Sequence, residues 1–224
     1  MSLRSVYAVA VVVFAAMLGL AGWGLVVVGP DAVVPTHWGV SGEADGYASA
    51  LVAFLTTPLI SVGILVLLAV IPRIEPRREN LARSASAYRT VMAALLVFMA
   101  LVHAGVVLAG TGHALPMGLL VGGGIGALFM VLGNVMTTVR SNYMFGVRTP
   151  WTLSSDLAWD KTHRLVGRLF FVAGLAVLLL AFTGEMTLVI GVMLAFVVVV
   201  LVVAFGYSYR VWRSDPDRRS TNVS

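Results

Sequence analysis

A chain of 224 residues that is 59% hydrophobic and 11% charged, with a mean hydropathy of +0.97, lies outside the composition of soluble domains and reads as an integral membrane protein. The absence of cysteine excludes disulfides and thiolate metal sites. The formal net charge of +5, given where the charges fall, reads as topology and contact with the lipid bilayer rather than direct nucleic-acid binding.

Six apolar runs, residues 6–28, 51–71, 90–110, 115–138, 165–182 and 187–205, are long enough to cross a hydrocarbon core of about 30 Å at ~1.5 Å per residue. The expected fold is an all-α membrane protein with six transmembrane helices. Its cationic residues gather at alternate ends of these runs. Arg4 precedes the first; Arg73, Arg77, Arg78, Arg83 and Arg89 lie between the second and third. Arg140, Arg148, Lys161, Arg164 and Arg168 lie around the fourth connection, and Arg210, Arg213, Arg218 and Arg219 follow the sixth run. The intervening loops 29–50, 111–114 and 183–186 carry none. The positive-inside bias therefore places both termini of this multi-pass chain in the cytoplasm. The first run is longer than a signal-peptide core and has no small-x-small cleavage site, so it reads as a retained anchor. Three units are expected: 1–71, two spans with an outward loop; 72–114, a basic linker and the third span; and 115–224, three spans with an inward loop.

The outward loop 29–50 is patterned. Pro30 and Pro35 punctuate it, Ser41-Gly42 and Asp45-Gly46 are turn dipeptides, and Trp38 and Tyr47 suit the headgroup level. A fold-back at Gly42 would bring His37, Glu43 and Asp45 together to bind a peptide or a divalent cation. The alternative is a rigid cap with solvated acids and His37 beside Trp38. The spacing matches no zinc motif, and apart from that cation no cofactor is expected.

In the inward linker, the polar stretch 77–88 after Pro76 predicts a short helix along the membrane surface. His103 is an ionisable group deep in the third run, either functional or neutral and hydrogen-bonded to a neighbouring helix. His113 is expected in solvent. Gly118, Gly122 and Gly126 recur at four-residue steps, without the Lys-Ser/Thr of a phosphate loop. They predict a close-packing helix face, used within the chain or for a homo-oligomer.

The polar stretch 133–168 holds the densest chemistry. Asn134, one turn before the boundary, is placed to tie down groups in the loop below it. Thr149 must be extended before Pro150. Ser154 or Ser155 is a helix N-cap with Asp156 in the first turn, and Asp160 and Arg164 are an i,i+4 acid–base pair on a helix continuing into the fifth span. Trp151 and Trp159 would anchor it at the interface. A Ser154 or Ser155, His163 and Asp156 triad does not converge on one short helix, and no nucleophile elbow surrounds either serine, so no catalytic residue is assigned. Arg140, Arg148, Lys161 and Arg164 instead suit a phosphate or carboxylate partner, or an ordered loop that uses them internally against Asp156 and Asp160.

Asn134, Arg140, Asn142, the run Phe145-Gly146-Val147-Arg148-Thr149-Pro150-Trp151-Thr152, Trp159, Lys161-Thr162-His163-Arg164 and Gly167 resemble the signature of the SdpI family. Val34-Pro35-Thr36-His37-Trp38-Gly39 with Gly42-Glu43-Ala44-Asp45-Gly46-Tyr47 is similar to the uncharacterised domain that commonly precedes it. The resemblance implies protection against a membrane-active peptide toxin outside the cell, and retention of a small cytoplasmic repressor at the membrane. On that reading His37, Trp38, Glu43, Asp45 and Tyr47 form the outward candidate site. Asn134, Arg140, Asn142, Arg148, Trp151, Trp159, Lys161, His163 and Arg164 form the inward one. Two rival readings are a transporter or flippase using His103, Asn134 and the loop arginines, and a metal-dependent hydrolase using His37, Glu43, Asp45 and His113.

Overall fold

The structure, a computed structural model, describes residues 4–218. In chain order it comprises helix α1 (Arg4–Val28), strands β1 (Val33–Trp38) and β2 (Ala44–Ser49), and helices α2 (Ala50–Ile74), α3 (Arg78–Arg83), α4 (Ala85–Gly110) and α5 (Met117–Met136). Then come α6 (Pro150–Ser154), α7 (Asp156–Ala181), α8 (Met186–Val202), a π turn (Val203–Tyr207) and α9 (Ser208–Ser214). Among the described residues six helices are long and apolar enough to cross a membrane, as the six apolar runs predict. The chain is a multi-pass membrane protein with two polar faces, one carrying the β-hairpin and the other the connection between α5 and α7.

Side-chain caps set the starts of α6 and α7. Thr149 is extended and caps α6 from in front of Pro150, with its side chain accepting from the Thr152 N–H. Ser155 caps α7 by accepting from the Ala158 N–H at 2.9 Å, so that helix starts at Asp156 and not at residue 165. The surface helix of the linker is shorter than expected: α3 stops at Arg83 and α4 begins at Ala85.

Glycine sets the closest helix approach. A Cβ on Gly133 would lie 2.5 Å from the Gly167 carbonyl oxygen, and one on Gly126 2.7 Å from that of Gly174. Only hydrogen at these positions lets the backbones of α5 and α7 touch. The Gly118/Gly122/Gly126 face is thereby used within the chain, because Gly118 meets Met186 and Gly122 meets Ala181. That is the within-chain alternative of the two expected for this face.

A two-stranded hairpin is marginal on its own. This one is held down by Val34 and Trp38, which pack on Ala21, Phe54 and Val107 of three helices. The Ala50 N–H also donates to the Ala32 carbonyl at 2.8 Å. Its turn is at Gly42, whose φ of +80° suits glycine. Asp45-Gly46 lies inside β2, so that dipeptide is not a turn. His103 is fully buried and bonds the Met17 carbonyl of α1 through Nε2 at 2.9 Å, the neighbouring-helix reading of this residue.

Candidate functional site

On the loop face, the local fold is built by Asn142. Its Oδ1 accepts the N–H groups of Met144 and Phe145 at 3.0 and 2.6 Å, and its Nδ2 donates to the carbonyls of Arg140 and Phe145. This fully buried amide thus satisfies a turn from within. His163 fixes the next segment. Its Nε2 accepts the Val147 N–H at 2.9 Å while Nδ1 faces the Trp159 carbonyl at 2.9 Å, a pair of bonds that needs the proton on Nδ1. Gly146, at φ +107°, lies against the Nε2 edge of the ring so closely that a Cβ would fall 2.4 Å from Nε2. Trp159 stacks on the face of the His163 ring, centroids 4.0 Å apart, and donates from Nε1 to the Val139 carbonyl at 2.7 Å.

This folded loop is latched to the linker by residues outside the candidate list. Glu75, at the end of α2, is 0% exposed. Its carboxylate accepts the Arg77 N–H at 2.8 Å and the Tyr143 N–H at 3.0 Å. Three backbone-derived bonds at one carboxylate offset the cost of burying it. The Arg77 guanidinium donates to Ser141 Oγ and to the Leu153 carbonyl (2.9 Å), and lies 4.6 Å over the Tyr143 ring. Asn80 Nδ2 donates to the Ser141 carbonyl, and the Arg140 N–H to Ser84 Oγ. A second tie runs to the last helix: Ser155 Oγ donates to Asp215, and Thr149 Oγ1 meets Ser208 Oγ at 3.1 Å.

The inward candidates therefore divide. Asn142, Trp159 and His163 are buried parts of the scaffold, so Trp159 is a core residue and not an interfacial anchor. Trp151 makes edge contacts with Tyr209 and Phe205. Arg140, Arg148, Lys161 and Arg164 are exposed. Arg148 braces the loop through the Tyr143 carbonyl at 2.7 Å. Asn134 is exposed on α5: the helix turns Gly133 into the seam with α7, and the next residue points away from the loop it was expected to hold. Among the described residues Asp156 and Asp160 form no ion pair, so the loop cations are not neutralised internally and the Asp160–Arg164 pair is not made. α7 buries Ala158, Trp159, Thr162 and His163 on one side, which leaves Asp160, Lys161 and Arg164 in the open. Ser154 donates to the Pro150 carbonyl and Ser155 is committed to Asp215, so neither faces His163 as a nucleophile would.

On the hairpin face, the strands pair His37 with Gly46, and His37 Nδ1 meets Asp45 Oδ1 in an exposed ion-pair contact. Glu43 contributes its backbone, accepting the Gly39 N–H at 2.9 Å. Among the described residues no three His, Asp or Glu side chains are placed to hold a metal ion. That corrects the three-ligand grouping of His37, Glu43 and Asp45: the hairpin register joins two of them and leaves Glu43 at the exposed turn. Tyr47 is exposed, its hydroxyl donating to the Ala44 carbonyl. His113 meets Thr111 Oγ1 at 3.1 Å on the turn after α4. Beneath the hairpin lies an apolar cavity of about 240 Å³. His37 and Trp38 line it from the hairpin, Val102 and Val106 from α4, Val121 from α5 and Met186 from α8.

Six apolar helices with a capping hairpin on one face and a latched polar loop on the other define the class, a polytopic helical membrane protein. The comparisons specify it further. Residues 138–209, which carry the loop, α6, α7 and α8, match the SdpI/YfhL protein family, and residues 10–62, which carry the hairpin, match a domain of unknown function, DUF1648. The immunity protein SdpI of Bacillus subtilis (strain 168) is 28% identical over 116 residues, 51% of this chain and 56% of that protein. The match therefore spans little more than half of that relative's length. No solved structure matches.

The buried latch was missed in the sequence because Glu75 and Arg77 lie 68 and 64 positions from the loop groups they bind. A usable signal was present nonetheless. Glu75 is an acid set between Pro72 and Pro76 directly after an apolar helix, amid arginines.

Proposed function

We propose that this chain is an immunity protein of a bacterial cell membrane, with the hairpin face outside and the loop face and both termini in the cytoplasm. The orientation rests on the concentration of Lys and Arg at the loop face. The observation that carries the function is the cavity beneath the hairpin. At about 240 Å³ it falls below the roughly 300–1,000 Å³ of small-molecule sites, and its walls are largely apolar. It suits one bulky apolar side chain of a membrane-active peptide, with the polar His37, which contacts Asp45, at the rim to meet the peptide backbone. Because the cavity joins the hairpin to α4, α5 and α8, an occupant that favours one arrangement of these elements would shift the helices that carry the loop face. The exposed Arg140, Arg148, Lys161 and Arg164 then offer a cationic surface to a small acidic repressor. The name of the Bacillus subtilis relative supports the immunity part of this reading.

The test is survival of a sensitive bacterial strain expressing the chain and challenged with a panel of membrane-active toxic peptides. Wild type should protect against at least one peptide. Val121→Phe, which fills the cavity, should abolish that protection at equal membrane abundance. No protection by the wild type, or full protection by the filled variant, refutes the reading.

A further inference from the structure

A second cavity, of about 560 Å³, opens on the loop face where α1, the end of α2 and α3 meet, and the immunity reading makes no use of it. Tyr7, Pro72, Arg73, Arg78, Glu79 and Leu81 are among its walls. Arg73 donates one Nη to the Ala69 carbonyl at 2.8 Å, and Arg78 one to the Arg73 carbonyl at 2.7 Å. Each guanidinium is thus steadied by one bond to backbone, with most of its five N–H donors uncommitted. Glu79 stands in the same cavity and forms no ion pair with either arginine among the described residues. Two steadied guanidiniums and a separate carboxylate are complementary to a phosphodiester that carries an ammonium a short distance away. The location suits a lipid: the last turns of α2 expose Leu67, Val70 and Ile74, apolar surface continuous in sequence with Arg73.

We propose that this cavity is a binding site for the headgroup of an aminophospholipid, phosphatidylethanolamine. Arg73 and Arg78 hold the phosphate in charge-assisted hydrogen bonds, and Glu79 accepts from the ammonium. The acyl chains run along the exposed apolar side of α2.

The experiment is native mass spectrometry of the purified, delipidated full chain mixed with equal amounts of phosphatidylethanolamine, phosphatidylglycerol and phosphatidylcholine. Soluble glycerophosphoethanolamine is tested in a separate arm. The site predicts phosphatidylethanolamine retained over phosphatidylcholine, whose methylated ammonium cannot donate to Glu79. Glu79→Gln should reduce that preference roughly fivefold, and Arg73→Gln/Arg78→Gln should remove retention of all three lipids at this site. The exposed pair Arg210→Gln/Arg213→Gln is the control and should leave lipid retention unchanged. Equal retention of phosphatidylethanolamine and phosphatidylcholine overturns the proposal, as does an equal loss in the control pair, which would show general interfacial charge. Binding of the soluble headgroup at the same strength as the lipid would overturn the part assigned to the acyl chains. All four substituted arginines are exposed, so folding is not at risk.

Discussion

The two polar faces of this molecule use their polar residues in opposite ways. On the loop face Glu75, Asn142, Thr152 and His163 are at most 1% exposed and bonded into a scaffold with Arg77, while Arg140, Arg148, Lys161 and Arg164 are exposed. On the hairpin face His37 and Asp45 stand in the open, 72% and 55% exposed, above an apolar hollow. A dense run of polar residues beside a membrane is therefore no sign of a binding surface by itself. Buried polar groups there are costly to leave unpaired, so they are recruited first to hold each other.

Substitutions should separate the faces by size of effect. Gly133→Val drives a side chain into the α7 backbone at the closest helix approach, and is expected to abolish folding, read as loss of the monodisperse peak in detergent chromatography. Trp159→Ala removes a buried indole and its bond to Val139, and should cost about 3–5 kcal/mol in chemical denaturation. Glu75→Ala leaves the N–H groups of Arg77 and Tyr143 without their acceptor, with an expected loss of about 1–3 kcal/mol on the same measurement. His37→Ala on the hairpin face breaks only an exposed contact and should change stability by less than about 1 kcal/mol. If His37→Ala proves as destabilising as Glu75→Ala, the contrast between the faces is wrong.

The sequence carried the six spans well, because twenty or so apolar residues have one stable arrangement in lipid. Local start signals were legible in part: Thr149 is extended before Pro150 and Ser155, one of two N-cap candidates, caps α7 with Asp156 in its first turn, whereas the cap that Thr149 places on α6 was not foreseen. The hairpin was not legible as strands. Pro35 in β1 and Gly46 in β2 argue against strand pairing, and they are tolerated here because the sheet has only two strands and each is an edge. Of the site residues, the family resemblance marked Asn142 and His163 as candidates without saying that they face inward. Their roles depend on the loop closing over α7, and on Glu75 and Arg77 from a distant helix end. The exposure of Asn134 has a related cause: the seam between Gly133 and Gly167 sets the rotation of α5, and that pairing joins two helices.

The most direct test of the latched loop is hydrogen exchange, followed by mass spectrometry, on the wild-type chain and Glu75→Ala in the same detergent. The structure requires peptides covering residues 140–148 to be protected in the wild type and to exchange faster in the variant, with the hairpin at 33–49 unchanged. Unaltered protection of 140–148 in Glu75→Ala would contradict it, because the loop would then hold its shape without the carboxylate on which the latch closes.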